Sequence, residues 1–213
     1  MNPRHVLFDL DDTLYKSSSG MFPEIRRRMT VFVARFLGLS EDAANAKREE
    51  FVTRFGTTLG GLLREAGLED PEIFLREVHP ADVAAYIAPD PGLRPMLRAL
   101  DVSKSVFTNS PREHAERVLE FFGIRDCFRE IYDIRFSGFC GKPLAAAYRR
   151  VLAALGETAG RVLLVDDSTA YLQTFRDMGG RVLQVREDGA PTGEWPCLKD
   201  IKDLPGFLES TAE

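Results

Sequence analysis

Residues 6–15 read VLFDLDDTLY, an apolar run that ends in the carboxylates Asp9, Asp11 and Asp12. Burying a carboxylate is costly unless it is paired or meets a cation. Three other stretches carry complementary polar groups: Thr108-Asn109 in FTNS, Lys142 in CGKP, and Asp166-Asp167 in LLVDDS. Together they offer carboxylates, a hydroxyl, an amide and one ammonium. Carboxylate oxygens suit Mg²⁺, a hard cation that favours oxygen and offsets their repulsion. A carboxylate can also attack phosphorus to give an aspartyl-phosphate. Neighbouring donors and a lysine would then hold the phosphoryl oxygens as charge redistributes. Asp9 and Asp11 are two apart, so on an ideal strand they share a face. Lys142 precedes Pro143, an expected helix start; a cation there opposes the helix dipole, and a bound anion would compensate.

Such groups act together only if the chain brings them together. Val6 to Leu10 predicts a short buried strand. From Met21 to about Ile87 the apolar spacing is helical, with Ser40 as an N-cap and Asp70-Pro71 as another helix start. Pro89-Asp90-Pro91-Gly92 marks a boundary. Beyond it, strands are expected at 105–108, 130–134, 161–165 and 181–185. Helices are expected from the capping box Ser110-Pro111-Arg112-Glu113 to Phe122, from Pro143 to Leu155, and up to Met178. Strands alternating with helices imply a parallel sheet with right-handed crossovers. The expectation is an α/β protein: a Rossmann-like core (1–16 and 89–213) with an inserted all-helical cap (17–88). In open parallel sheets ligands bind beyond the carboxyl ends of strands, which is where the four polar stretches fall.

The 213 residues are 44% hydrophobic and 29% charged, with a net charge of −5. That composition suits a globular protein and argues against a nucleic-acid polymer as partner. No apolar run reaches membrane-spanning length and no signal-peptide pattern precedes the first strand. Cys127, Cys140 and Cys197 lack metal-site spacing, which fits a reduced, cytoplasmic protein. Several residues have plain readings. Asp12 suits a turn or a salt bridge, and Asp166 is equally suited to cap the following helix. Ser110 suits an N-cap and leaves Thr108 free. His5, His79 and His114 share no spacing and are read as incidental. Thr57, Thr58, Gly60 and Gly61 form either a substrate loop or a helix-to-helix turn.

The chain resembles the haloacid dehalogenase-like superfamily. DLDDT at 9–13 matches its first motif, and Thr108, Lys142 and Asp166-Asp167 match the second, third and fourth, in order. Family dehalogenases lack the second aspartate of the first motif, so Asp11 implies phosphoryl chemistry. The resemblance implies Asp9 as nucleophile and Mg²⁺ ligand, and Asp11 as general acid/base with its backbone carbonyl on the metal. It implies Thr108 and Lys142 as phosphate binders with Asn109 beside them. Asp167 is implied as the more direct metal ligand of the fourth motif, with Asp166 nearby. Tyr171 stands where many relatives place a further Asp or Asn.

A narrower resemblance covers FDLDDTLYKSSSGM and FGTTLGGLL, which look like the pyrimidine 5′-nucleotidase subgroup. It implies a nucleoside 5′-monophosphate substrate, with residues 15–19 and 57–64 facing the leaving group. The expected activity is therefore a Mg²⁺-dependent phosphatase acting on a small phosphate ester, as a monomer or homodimer. The alternatives are a sugar-phosphate phosphatase, a phosphomutase, or a non-catalytic binding module on the same fold. A phosphonatase would need a cap lysine as Schiff base; Lys47, the only lysine between Ser17 and Pro91, sits in a very polar helix that suits that role poorly.

Overall fold

The computed structural model describes residues 3–211. Its centre is strand β1 (His5–Phe8), buried at every position. Strands buried on both faces read as continuous apolar runs, and β1 is flanked in parallel by β2 (Ser103–Phe107) and β4 (Val162–Asp166). With β3 (Ile131–Tyr132), β5 (Arg181–Val185) and β6 (Cys197–Leu198) they form a six-stranded parallel sheet in the order β3-β2-β1-β4-β5-β6. Residues alternate across it. Val6, Phe8, Val106, Leu163 and Val165 pack into one apolar layer, and Leu7, Phe107, Val162 and Leu164 into the other. The chain steps outward from β1 to β3, then returns to lay β4 on the other side of β1. That reversal leaves a crevice at the carboxyl ends of β1 and β4, the usual ligand position in such sheets.

Between β1 and β2 the chain forms α1 (Met21–Leu37), α2 (Glu41–Phe55), α3 (Thr58–Arg64) and α4 (Pro71–Val78). Their starts follow local chemistry. Ser40 Oγ accepts from the Ala43 amide, Thr57 Oγ1 from Gly60, and Asp70 Oδ1 from Glu72. Thr57 is thus an N-cap, as the turn reading has it, and it also lines the cavity described below. The four helices share an apolar centre in which the Phe32 and Phe74 rings meet edge-on at 5.1 Å. Gly61 lets α2 and α3 approach, since a Cβ there would lie 2.1 Å from the Phe51 ring.

The remaining helices are α5 (Leu93–Ala99), α6 (Arg112–Phe121), α7 (Ala145–Leu155), α8 (Thr169–Asp177) and α9 (Leu204–Ser210). Two expectations are corrected here. The capping box at 110–113 does not form: Pro111 is the N-cap of α6, and the Arg112 amide donates instead to Asp133 Oδ2 at 3.1 Å. Helix α7 starts at Ala145, with extended Leu144 as its cap. Lys142 therefore precedes the first turn, and the helix-dipole argument for it fails.

Candidate active site

The Asp9 amide donates to Val165 O at 2.9 Å. The β1–β4 pairing thus runs one residue past β1 and delivers the Asp9 side chain to the crevice. Asp9 Oδ1 lies 2.9 Å from Lys142 Nζ, and Asp166 Oδ2 lies 2.6 Å from the same nitrogen. Lys142 is fully buried. Asn109 holds its backbone: Lys142 N donates to Asn109 Oδ1 at 2.7 Å, and Asn109 Nδ2 donates to Lys142 O at 2.8 Å. This clamp needs glycine at 141, where a Cβ would lie 2.3 Å from Asn109 Oδ1. The ammonium also sits 5.2 Å from the Phe107 ring centroid and 4.9 Å from that of Tyr171. Tyr171, the departure from the fourth motif, thus packs as an aromatic face over the lysine, and its hydroxyl accepts from Asn109 at 3.1 Å.

Oxygens of Asp9, Asp166 and Asp167 all lie within 4.8 Å of one another. Three carboxylates and one ammonium leave two negative charges, which a divalent cation would neutralise. Burial pushes the Asp9 carboxyl up, the Lys142 ammonium pulls it down, and the Asp166 and Asp11 carboxylates push it further up. Burial alone would lower Lys142, but Asp166 and Asp9 outweigh it and hold the ammonium above its ordinary value. Asp167 is pushed up to about 7, first by burial and then by Asp9 and Asp12. It has no salt bridge to any described residue. An all-oxygen donor set with excess negative charge fits Mg²⁺. Asp166 also accepts from the Ser168 amide at 2.9 Å, a turn contact; the N-cap of α8 is Ser168, so Asp166 does not cap that helix.

Asp11 lies apart from this cluster. Its Oδ1 accepts from Tyr15 Oη at 2.6 Å and from His114 Nε2 at 2.8 Å, and its Oδ2 accepts from Ser110 Oγ at 2.5 Å. An ionised carboxylate can only accept, so the His114 nitrogen is the donor. Burial pushes Asp11 up, but His114, Ser110 and Tyr15 outweigh it and hold the carboxyl well below its ordinary value. With the carboxylate so engaged, its backbone carbonyl is the atom left for the metal contact that the resemblance assigns. His114 is fully buried on α6, and the His79 ring stands 5.0 Å from it. The incidental reading of these two histidines is corrected. No spacing could reveal His114, since it lies 103 positions from Asp11 and meets it only through the fold. Ser110 failed as a helix cap because its hydroxyl serves Asp11.

Thr108 is buried beside this group, its Oγ1 accepting from the Ser110 amide at 3.0 Å. Asp12 takes the left-handed conformation at φ 59°, a turn role. It makes no salt bridge to a described residue, and its buried Oδ1 has no partner.

Asp9, Asp11, Thr108, Asn109 and Asp167 line one wall of a cavity of about 640 Å³. Met29, Arg48, Thr57, Leu59 and Phe74 from α1 to α4 and their connections line the other. Two expectations about that wall fail. Lys16, Ser18 and Ser19 line a different cavity of about 390 Å³. The segment is turned that way because Ser17 Oγ and Ser18 Oγ donate to Glu187 at 2.8 and 2.7 Å. Arg64 does not line the larger cavity; its Nη2 donates to Cys140 Sγ at 2.9 Å.

Lys142→Met tests the buried triad. Removing one partner of a buried ion pair costs about 3–5 kcal/mol because the other charge stays behind. We expect a loss of that order in urea unfolding at pH 8 without metal. Unchanged stability would mean that Asp9 and Asp166 are not ionised together against the lysine.

A parallel sheet with an acidic cluster at its switch point and helices inserted after the first strand defines a class of α/β hydrolase. The chain belongs to the haloacid dehalogenase-like hydrolases, whose family model matches residues 3–179. It is 27% identical to phosphate metabolism protein 8 of Saccharomyces cerevisiae, covering 94% of this chain and 67% of that protein. It is 28% identical to phosphoglycolate phosphatase of Rhodospirillum rubrum, covering 97% of this chain and 91% of the relative. Among solved structures, a HAD phosphatase from Thermococcus onnurineus superposes with a TM-score of 0.64 over 98% of both chains at 18% identity, a likeness of fold alone.

Proposed function

We propose that the protein is a Mg²⁺-dependent phosphatase that hydrolyses a small phosphate monoester through an aspartyl-phosphate on Asp9. The observation that carries this reading is that two neighbouring carboxylates sit in different surroundings. Asp9 lies in the cluster of three carboxylates beside a buried ammonium, and Asp11 stands outside it with its own donors. Asp9 attacks phosphorus, and Lys142, Thr108 and Asn109 hold the phosphoryl oxygens. Asp11, ionised at rest, takes up a proton from solvent as the ester binds, gives it to the leaving oxygen, and then takes one from the water that hydrolyses the intermediate. Asp9, Asp166, Asp167 and the Asp11 carbonyl would hold Mg²⁺, which when bound supplies positive charge to the phosphoryl oxygens. The names of the two curated relatives support phosphate chemistry.

Helices α1 to α4 act as the cap that covers the leaving group and excludes water. The motif resemblance favours a nucleoside 5′-monophosphate. Lys47 is bonded at 2.8 Å to both Glu50 and Glu65, which counts against a Schiff-base phosphonatase. No helix among the described residues is long and apolar enough to cross a membrane. All three cysteines are free, which supports the cytoplasm as location.

Phosphate release should need Mg²⁺, disappear with EDTA and return on adding the metal. Full activity in metal-stripped protein would overturn the proposed site. Metal binding should also track pH. A carboxyl raised in the fold contributes stability that is full below its ordinary value of 3.8 and is lost as the pH climbs through its folded value. For Asp167 and Asp166 that folded value is about 7 and about 6. Mg²⁺ takes only the ionised form, so the rise in Tm on adding Mg²⁺ should be larger at pH 8 than at pH 5.5. A shift independent of pH would place the ion elsewhere.

A further inference from the structure

Arg48, on α2, is 7% exposed. Its Nη1 donates to Thr30 Oγ1 at 2.6 Å and Asn45 Oδ1 at 3.3 Å, and its Nη2 to Met29 Sδ at 3.6 Å. Its Nε is buried with no partner. Every partner is neutral, and no described carboxylate lies within ion-pair distance. Elsewhere in these helices the pattern is different: Arg27 and Arg28 pair with Glu24, Arg35 with Glu77, and Arg54 with Glu50. Those pairs involve exposed or half-buried arginines. Arg26, Arg64 and Arg76 also make no salt bridge to a described residue, but they are exposed to water; Arg48 is the buried arginine of this region, and it has no counter-charge.

A buried guanidinium without a carboxylate is unfavourable, and burial lowers Arg48 only to about 10, so it stays charged at neutral pH. Glu49, the next residue, lines the same cavity but is exposed and makes no salt bridge to Arg48. Arg26 lines that cavity as well and adds a second positive charge. Arg48 and Asp9 stand on the cap and core walls of one cavity. An ester bound with its phosphorus at Asp9 has its leaving group in the cavity that Arg48 also lines.

We propose that Arg48 is a specificity residue that binds a second anionic group, a carboxylate or a further phosphate, on the leaving group of the substrate. The inference rests on the phosphatase reading and narrows it. The planar fork of a guanidinium matches the oxygens of either anion, and such charge-assisted bonds are the strong ones. A site built around a buried charge discriminates against a neutral analogue, because the charge is then left unanswered. Within the nucleotidase reading, the preferred nucleotide carries a carboxylate or a second phosphate besides the one released.

The test uses the full chain with Mg²⁺ and two series of esters. In the first, ethyl phosphate is compared with 2-phosphoglycolate. In the second, uridine 5′-monophosphate is compared with orotidine 5′-monophosphate, which adds a carboxylate, and with uridine 3′,5′-bisphosphate, which adds a phosphate. We expect kcat/KM to favour an anionic member by about 10- to 100-fold in at least one series, the scale of a hydrogen bond to a charged group. Arg48→Met should bring that preference close to one, and Arg48→Lys, which keeps the charge and loses the fork, should reduce it in part. Should Arg48→Met not fold, the Arg48→Lys reduction stands as the test. Neutral esters turned over as well as anionic ones in both series would overturn the inference and leave the phosphatase reading intact. A preference that survives substitution of Arg48 would overturn it too. Absence of Mg²⁺-dependent release from every ester, p-nitrophenyl phosphate included, by folded protein would overturn both.

Discussion

Asp9→Asn should bring phosphate release close to the uncatalysed background while the protein stays folded. The amide is nearly isosteric, so β1, its pairing with β4 and the crevice keep their shape. It cannot attack phosphorus, and it is a poorer ligand for a hard cation. Removing a nucleophile whose partners remain in place typically lowers kcat by on the order of 10⁴- to 10⁶-fold. The fold should tolerate the change because Lys142 keeps Asp166 at 2.6 Å. The substitution also removes a carboxyl that burial has already made unfavourable. Steady-state phosphate release, thermal melting and mass spectrometry for covalent phosphate on the protein check this together. Turnover within tenfold of wild type would remove Asp9 as nucleophile. A collapse of Tm would make the activity loss uninformative about chemistry and point instead to the Asp9–Lys142 pair as a structural tie.

Asp9 and Asp166-Asp167 were legible in the sequence for a physical reason: each stands where an apolar strand ends in charge, and a buried charge needs an explanation. Lys142 was legible through the motif resemblance, since helix α7 starts too late for the dipole reason to hold. The parallel sheet was legible from alternation, and β1, β2, β4 and β5 fall where apolar runs of four or five residues predict them. Strand β6 and helices α5 and α9 were not read. At two and seven residues they are too short for a period to show, and β6 exists because the edge of β5 offers it hydrogen bonds.

The donors around Asp11 were hidden for a different reason. Ser110 carried a strong local signal, the S-P-R-E capping pattern, and the fold overrode it because a buried carboxylate competed for the same hydroxyl. His114 carried no signal at all, since a histidine on a helix gives no hint of a partner in the turn that follows β1. Tyr15 was read only as part of a motif resemblance that placed residues 15–19 at the leaving group. In the structure Tyr15 turns to Asp11, while Ser17 and Ser18 turn to Glu187. Arg48 was equally silent: within KREEF it looks like any charge on a solvated helix, and only its burial distinguishes it.

These donors frame the second expectation. Asp11→Asn should lower turnover by about 10²- to 10⁴-fold, the usual contribution of a positioned acid or base. The way it fails is more informative than the size of the loss. Asp11 is held ionised by Tyr15, Ser110 and His114, the form a base requires. It must gain a proton to serve a poor leaving group such as an alkoxide. With p-nitrophenyl phosphate the leaving group departs without protonation, so the first step largely escapes the substitution. Hydrolysis of the aspartyl-phosphate still needs water to be activated, and asparagine cannot accept that proton. The variant should therefore release about one equivalent of p-nitrophenol quickly and then slow, with covalent phosphate accumulating on Asp9. On an alkyl ester it should show no burst, because the first step is then slow as well. A fewfold loss with no burst on either ester would mean that Asp11 takes no part in proton transfer. Its three hydrogen bonds, between residues on both sides of the insertion, would then be structural ties. A burst of equal size on both esters would assign Asp11 to water activation alone and require another acid for the leaving oxygen.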